Sequence, residues 1–208
     1  RSAFFVSYLL LFIFSYVSAA ASKNNVSVVP VTLYYEALCP SSARFIVKEL
    51  GEIFQNDIID IINLHLVPYG NAKLGPPDNT SITCQFGETE CLLNTVEACA
   101  IHAWPKLDKY YTYLRCIESR VVKKNYTWQY CSNITGLPQE PIDECLKSGL
   151  GKQLELQYAN ETNSLNPPHE FLPWVVVDEK PLKQVRSGPY SVFFLKFVFL
   201  SLCKAIIK

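Results

Sequence analysis

The residue best placed for chemistry in this sequence is Cys39, which follows an apolar run and opens a helical pattern. Residues 26–35 read VSVVPVTLYY, the β-branched and aromatic composition of a buried strand. Pro40 lies where a first helical turn accepts proline, and apolar residues then recur at helical spacing from 43 to 54. Free backbone N–H groups and the positive end of the helix dipole stabilise a thiolate at such a position. The sequence therefore predicts a nucleophilic thiol at Cys39.

Ser42 stands three residues after Cys39, in the run Cys-Pro-Ser-Ser. A hydroxyl at this spacing can face Cys39 and donate a hydrogen bond to its thiolate, but it cannot form a disulfide. A mixed disulfide at Cys39 would then need an external thiol, or another cysteine of the chain, to release it. Two simpler interpretations remain open: Cys39 is a structural half-cystine, and Ser42 is an ordinary residue of a first helical turn.

The other cysteines are expected to be mostly structural. In an oxidising compartment six of them should form disulfides, and their spacing does not choose among the pairings: Cys84, Cys91, Cys99, Cys116, Cys131 and Cys145. Cys203 could pair with Cys39, stay free or join two chains. A zinc site at Cys99 and His102 is a competing hypothesis, disfavoured because no C-x-x-C pair accompanies it. We predict neither a metal nor another cofactor.

The N-terminal residues have the pattern of a secretory signal. Arg1 precedes an apolar run at 4–17, and small residues follow at 18–22, so we predict a signal peptide over 1–21. A membrane anchor is the alternative, although the run is short for a span. Sequons occur at Asn25, Asn79, Asn125, Asn133 and Asn160, which is typical of an N-glycosylated surface. These features predict the secretory pathway.

Charge and hydropathy exclude some partners. The chain has 19 basic and 19 acidic residues with no long run of one sign, so no nucleic-acid surface is predicted. The apolar tail at 190–208 is interrupted by Lys196 and is short for a membrane span. We expect it to form a final helix packed on the sheet, with no stable span in the mature chain.

The remaining pattern predicts a mixed α/β domain. Strands are expected near 28–35, 60–67, 174–178 and 182–186, with a polar loop over 68–83. Helices are expected over 97–117, broken or kinked at Pro105, and over 141–158, weakened at Gly149. His65 is interpreted as a satisfied core histidine, and His169 as a residue bordering the site without a catalytic role.

Three stretches resemble the gamma-interferon-inducible lysosomal thiol reductase (GILT) family, in its plant-like form. They read LYYEALCP at 33–40, CQFGETECLLNTVEAC at 84–99 and PPHEFLPWVVVDEKPL at 167–182. The middle stretch matches the family signature CQHGxxECxxNxxxxC at every fixed position except Phe86, where histidine is usual. The similarity extends over about 28–205.

The resemblance implies a thioredoxin-like fold over 26–205, with a disulfide-bonded helical insertion at about 68–160. Family members reduce disulfides of protein substrates at acid pH, in lysosomes, vacuoles or outside the cell, through a C-x-x-C pair. Cys39 matches the first cysteine, and Ser42 replaces the second, so a small thiol would have to complete the reaction. Pro173 would be cis, with Leu172 and Pro40 beside the bound substrate, although a trans proline that starts a strand is the alternative. The alternative function is an inactive secreted glycoprotein that binds client peptides.

Overall fold

The computed structural model of the chain describes residues 28–55, 58–76, 78 and 80–183. Several predicted features lie outside these residues: the signal peptide, the sequons at Asn25 and Asn79, Cys203 and the final helix at 190–208.

The described residues form two sheets. The strands are Val29–Tyr35 (β1), Ile62–Pro68 (β2), Lys73–Gly75 (β3), Ser81–Thr83 (β4), Trp174–Val177 (β5) and Lys180–Pro181 (β6). The main sheet has the order β2–β1–β5–β6, with β1 parallel to β2 and antiparallel to β5. The predictions for β1, β2 and β5 are confirmed to within two residues.

The helices lie between the parallel strands and between β4 and β5. They are Pro40–Arg44 (α1), Leu50–Gln55 (α2), Glu88–Ala103 (α3), Leu107–Val122 (α4), Gln129–Thr135 (α5), Glu140–Lys147 (α6) and Leu150–Asn163 (α7). A π-helical segment, Phe45–Glu49, joins α1 to α2, and a 3₁₀ turn, Ile58–Ile61, precedes β2. The segment from α1 to the 3₁₀ turn is the crossover that connects the parallel strands β1 and β2.

Strand β1 occupies the centre of the fold because both of its faces are apolar. Val31, Leu33 and Tyr35 point into the main core, which the helices cover. Tyr34 points to the opposite face and packs with Trp174 of the neighbouring strand. A strand buried on both faces reads as a continuous apolar run, which is why the sequence identifies it.

Two helical breaks follow from local chemistry. Helix α3 ends at Ala103 and α4 begins at Leu107, so the predicted interruption at Pro105 is confirmed. The helix predicted over 141–158 is divided between α6 and α7 at Gly149. This glycine has a φ of 81°, a conformation that glycine adopts without steric cost.

Two other predictions are wrong. The polar segment 68–83 contains the antiparallel hairpin β3–β4, whose strands of three residues each are too short to show a periodic pattern. The edge strand predicted at 182–186 was placed too late: the pairing strand is β6 at Lys180–Pro181, Leu182 and Lys183 are outside it, and 184–186 lie outside the described residues. The reason is a tight turn with positive φ at Asp178 and Glu179, which places Lys180 opposite Val177 and starts the pairing early.

No helix among the described residues is long and apolar enough to cross a membrane.

Candidate functional site

Cys39 lies at the junction predicted for it. It is the N-cap residue of α1, with extended backbone angles, and Pro40 follows at the first helical position. Its backbone nitrogen donates to the Glu36 carbonyl at 3.2 Å, and its own carbonyl accepts from Ala43 N at 2.9 Å. The thiol is half-buried and is the only free cysteine in the described part of the chain. A half-buried thiol at a helix start can be reached by a disulfide.

Ser42 does not make the hydrogen bond expected of it. The residue is fully buried, and its Oγ has no hydrogen-bond partner among the described residues. The side chain lies on the buried face of the helix, beside Ala43, rather than facing the thiol through a hydrogen bond. The serine therefore leaves an unpaired buried hydroxyl where a second thiol would complete a dithiol motif.

Pro173 lies beside the loop that carries Cys39. The Leu172–Pro173 peptide bond is cis, as the resemblance implied. Trp174 is opposite Tyr34 in the ladder between β5 and β1, so Pro173 lies at the end of β1 that leads to Cys39. Pro173 is buried and Leu172 half-buried, whereas Pro40 is exposed. The fold thus brings these predicted substrate-binding residues to one end of the sheet.

The loop between β1 and α1 is held by hydrogen bonds to two distant segments. Ala37 N donates to the Asn94 side-chain oxygen at 2.9 Å, inside the protein. Glu36, only 1% exposed, accepts a hydrogen bond from Asn71 N at 2.9 Å. Burial raises the pKa of Glu36, and the hydrogen bonds from Asn71 oppose that shift. These bonds fix the backbone just before Cys39.

Two fully buried glutamates, Glu97 of α3 and Glu118 of α4, lie behind this loop. The Tyr35 hydroxyl donates to Glu97 Oε2 at 2.5 Å. Burial raises the pKa of both carboxyl groups, and the charge of Glu97 raises that of Glu118 further. A smaller rise for Glu118 comes from the thiolate of Cys39, which places this carboxyl within electrostatic reach of the nucleophile.

Two more buried glutamates behave in the same way. Burial, and then the charge of Glu36, raises the pKa of Glu90 to about 7. Burial raises the pKa of Glu155, on α7, to about 7 as well. The interior around the site is therefore acidic in composition but largely uncharged at acid pH.

The six cysteines between 84 and 145 form disulfides. The pairs are Cys84–Cys91, Cys99–Cys145 and Cys116–Cys131. The second pair joins α3 to α6, and the third joins α4 to α5. Since Cys99 is oxidised to a disulfide, it has no thiolate to offer the zinc site considered with His102.

The histidines and sequons occupy the surface. His65 is not a core residue, because its side chain is 47% exposed and its Nε2 lies 3.0 Å from Glu161 Oε2. It lies on the outward-facing side of β2, which alternates buried and exposed positions over its first residues. His169 Nε2 lies 3.1 Å from Asn71 Oδ1. The sequon residues Asn125, Asn133 and Asn160 are exposed.

Sequence reasoning gave no role to several residues that shape the site, including Asn71, Asn94, Glu97 and Glu118. The signature segment contains a signal for Asn94 and Glu97. Together with Glu90 they are spaced by four and three residues. That spacing places them on one face of α3, among residues that are buried. Polar residues at helical spacing on an apolar face indicate an internal hydrogen-bond network.

The site and topology together define a thioredoxin-like protein with one cysteine at the start of the helix after the central strand. Comparison with solved structures confirms this fold class. DsbA of Chlamydia trachomatis superimposes with a TM-score of 0.59 at 12% identity, over 88% of this chain and 91% of that one. BdbD of Bacillus subtilis gives 0.58 at 12% identity, over 88% and 90%.

The chain belongs to the gamma interferon inducible lysosomal thiol reductase (GILT) family, whose model matches residues 30–135. A gamma-interferon-responsive lysosomal thiol protein of Arabidopsis thaliana is 42% identical, over 86% of this chain and 72% of that protein. The gamma-interferon-inducible lysosomal thiol reductase of Mus musculus is 39% identical, over 74% of this chain and 62% of that protein.

Proposed function

We propose that this chain catalyses thiol–disulfide exchange on protein disulfides, with Cys39 as the nucleophile. The observation that carries the proposal is a free, half-buried cysteine at a helix start, with Leu172 and Pro173 at the same end of the sheet. Membership of a thiol reductase family and a fold shared with DsbA proteins support it. Pro40, Leu172 and Pro173 are proposed to contact the polypeptide that carries the disulfide.

The exchange proceeds by three successive attacks of a thiol on a disulfide sulfur, one by Cys39 and two by small thiols. The Cys39 thiolate attacks one sulfur of the substrate disulfide, so a mixed disulfide forms and the other sulfur leaves as a thiolate that takes a proton from solvent. A small thiol then attacks Cys39 Sγ and releases the second substrate thiol. A second small thiol attacks the small-molecule sulfur that is now joined to Cys39. This attack releases the Cys39 thiolate and forms the disulfide of the small thiol. The substrate gains two electrons, and the two small thiols supply them.

External thiols are required in this scheme because Ser42 cannot resolve the mixed disulfide. A hydroxyl forms no stable bond to the substrate sulfur, so the mixed disulfide at Cys39 should persist until a small thiol arrives. A long-lived mixed disulfide is thus the chemical signature expected of this chain.

We further propose that the protein acts in an acidic compartment, a lysosome or vacuole, reached as an N-glycosylated secretory protein. Glu90 and Glu155 support this location, because burial raises the pKa of each to about 7. Both buried carboxyl groups are therefore protonated in an acidic compartment and partly ionised at neutral pH. The relatives from Arabidopsis thaliana and Mus musculus carry the word lysosomal in their names.

One observation favours a second candidate, a non-catalytic glycoprotein that binds client polypeptides. Ser42 is buried and its hydroxyl has no partner in the described part of the chain, so it makes no hydrogen bond to Cys39. A fold that keeps the substrate-binding residues but lacks the second thiol could hold a polypeptide without turning it over.

Reduction of a denatured disulfide-bonded protein, at pH about 5 with a small thiol, separates the two candidates. The protein would be compared with the Cys39→Ala and Ser42→Cys variants. Turnover that disappears in Cys39→Ala supports monothiol exchange, and mass spectrometry of acid-quenched samples should then find the mixed disulfide on Cys39. Turnover seen only with Ser42→Cys means that the serine disables an otherwise complete site. Inactivity of all three supports the binding protein.

A further inference from the structure

A cleft of about 610 Å³ opens beside the residues that surround Cys39 and Pro173. Its lining comes from residues 70–73 after β2, residues 83–85 of the signature segment, Asn163 and His169. Gly70 joins the cleft to the site. A β-carbon on this glycine would lie 2.6 Å from Glu36 Cβ and 2.8 Å from Leu172 Cδ1. The cleft therefore begins against the residue that precedes Pro173.

Hydrogen bonds fix the orientation of the amide groups in the cleft. Asn71 Nδ2 faces the carboxyl of Glu36 at 3.4 Å, so this atom must be the donor end of the Asn71 amide. The same nitrogen donates to Gln85 Oε1 at 2.7 Å. Asn71 Oδ1 then accepts from His169 Nε2 at 3.1 Å. Because Glu36 is buried, the whole chain of bonds is anchored inside the protein.

This arrangement leaves donors available to a ligand. Gln85 is exposed, its oxygen is used by Asn71, and its side-chain nitrogen makes no hydrogen bond within the described residues. Lys73, also exposed, adds a cation to the lining. Among the described residues that line the cleft there is no carboxylate. The cleft thus offers N–H groups and positive charge, which bind carbonyl and carboxylate oxygens.

We propose that this cleft is a substrate subsite that binds the polypeptide flanking the target cysteine, with a preference for acidic side chains. The inference rests on the proposed function, since the flanking segment reaches the cleft only when the target disulfide lies at Cys39 and Leu172. Gln85 and Lys73 select the segment, while Asn71 is a positioning residue that orients Gln85. The first glutamine of the signature thereby has a role in recognition.

The variant that tests the subsite is Gln85→Glu. It has the same shape and keeps the oxygen that accepts from Asn71, but it replaces the free nitrogen by a negatively charged oxygen. Gln153→Glu, on the exposed surface of α7 and outside the cleft lining, adds the same charge elsewhere and serves as the matched control.

The substrates are two peptides, each with one cysteine joined to a chromophoric aromatic thiol and flanked by either glutamate or lysine. The symmetrical disulfide of the same aromatic thiol has no polypeptide and reports the reactivity of Cys39 alone. Release of the chromophore gives the rate of attack by Cys39. An exposed charge pair changes a rate by up to about fivefold. The ratio of glutamate to lysine peptide rates should therefore exceed one in the parent chain and fall towards one in Gln85→Glu, where the new carboxylate offsets the charge of Lys73. The symmetrical aromatic disulfide should react with the parent chain and with Gln85→Glu at the same rate.

An unchanged peptide ratio in Gln85→Glu, or an equal change in Gln153→Glu, overturns the subsite. A parent chain that releases no chromophore from any substrate refutes the proposed exchange activity instead. Binding of the same peptides with serine in place of cysteine, measured by titration calorimetry, then decides the subsite separately. The parent chain should bind the glutamate peptide more tightly than the lysine peptide, and Gln85→Glu should reduce or abolish that difference. Equal affinities of the two peptides for the parent chain would refute the subsite.

Discussion

Replacing Glu155 by glutamine should stabilise the protein at neutral pH and leave its stability unchanged at acid pH. Glu155 is 6% exposed, and burial raises its pKa from 4.5 to about 7. At a pH between these two pKa values, Glu155 therefore keeps its proton in the folded state and loses it in the unfolded chain. Stability supplied by that proton is complete below pH 4.5 and is lost as the pH rises towards 7.

The magnitude follows from the width of this interval. Each pH unit within it costs up to about 1.4 kcal/mol, so the whole interval costs about 3 kcal/mol. Glutamine has nearly the same shape and no proton to lose. The difference in the free energy of unfolding between Glu155→Gln and the parent chain should grow from near zero at pH 4.5 to about 3 kcal/mol at neutral pH.

Urea unfolding under non-reducing conditions measures this difference, with tryptophan fluorescence as the signal. Trp128 and Trp174 are both buried and should report loss of the core. Glu144→Gln, at an exposed position on α6, is the matched control for replacing a surface carboxyl group by an amide. A difference for Glu155→Gln that stays constant from acid to neutral pH would refute the reasoning, because only a shifted proton equilibrium gives a slope.

Three further predictions concern the scaffold of the site. Asn94→Ala removes the side-chain oxygen bonded to Ala37 N, leaves a buried N–H unpaired and should cost about 1 to 3 kcal/mol in urea unfolding; an unchanged midpoint would contradict this role. Gly70→Ala introduces a β-carbon at a φ of 62° within 2.6 Å of another side-chain atom, and the steric cost of roughly 2 to 4 kcal/mol should appear as a lower melting temperature. Removing the Cys99–Cys145 disulfide with two alanines opens a loop of 46 residues and should cost about 4 kcal/mol, measured by the same unfolding assay; a loss well below 1 kcal/mol would show that the loop-entropy argument fails.

The elements around Cys39 could be predicted from sequence because their signals are local. The strand β1 is apolar on both faces, and the helix starts at Pro40, shortly after β1 ends at Tyr35. His65 could also have been placed correctly. Ile62, Leu64 and Leu66 alternate with Asn63 and His65, which is the period of a strand with one exposed face.

The contacts that hold the site could not be predicted in the same way, because their partners are far apart in the chain. Tyr35 and Glu97 are separated by 62 residues, and His169 and Asn71 by 98. Nothing in the local pattern around Glu97 says which strand will supply the donor to its carboxyl group. The burial of Ser42 without a partner likewise depends on packing of α1 against the rest of the core.

The spacing within the signature segment follows from the directions in which its residues must point. Gln85 precedes α3 and faces the cleft, Asn94 reaches the loop before Cys39, and Glu97 meets Tyr35 in the core. An α-helix turns by about 100° per residue, so one residue inserted between 90 and 94 would rotate the first part of the helix away from the second. Glu90 and Asn94 could then no longer face the site together. The fixed spacing is therefore a geometric requirement of one segment, Gln85 and the helix after it, that contacts three parts of the site at once.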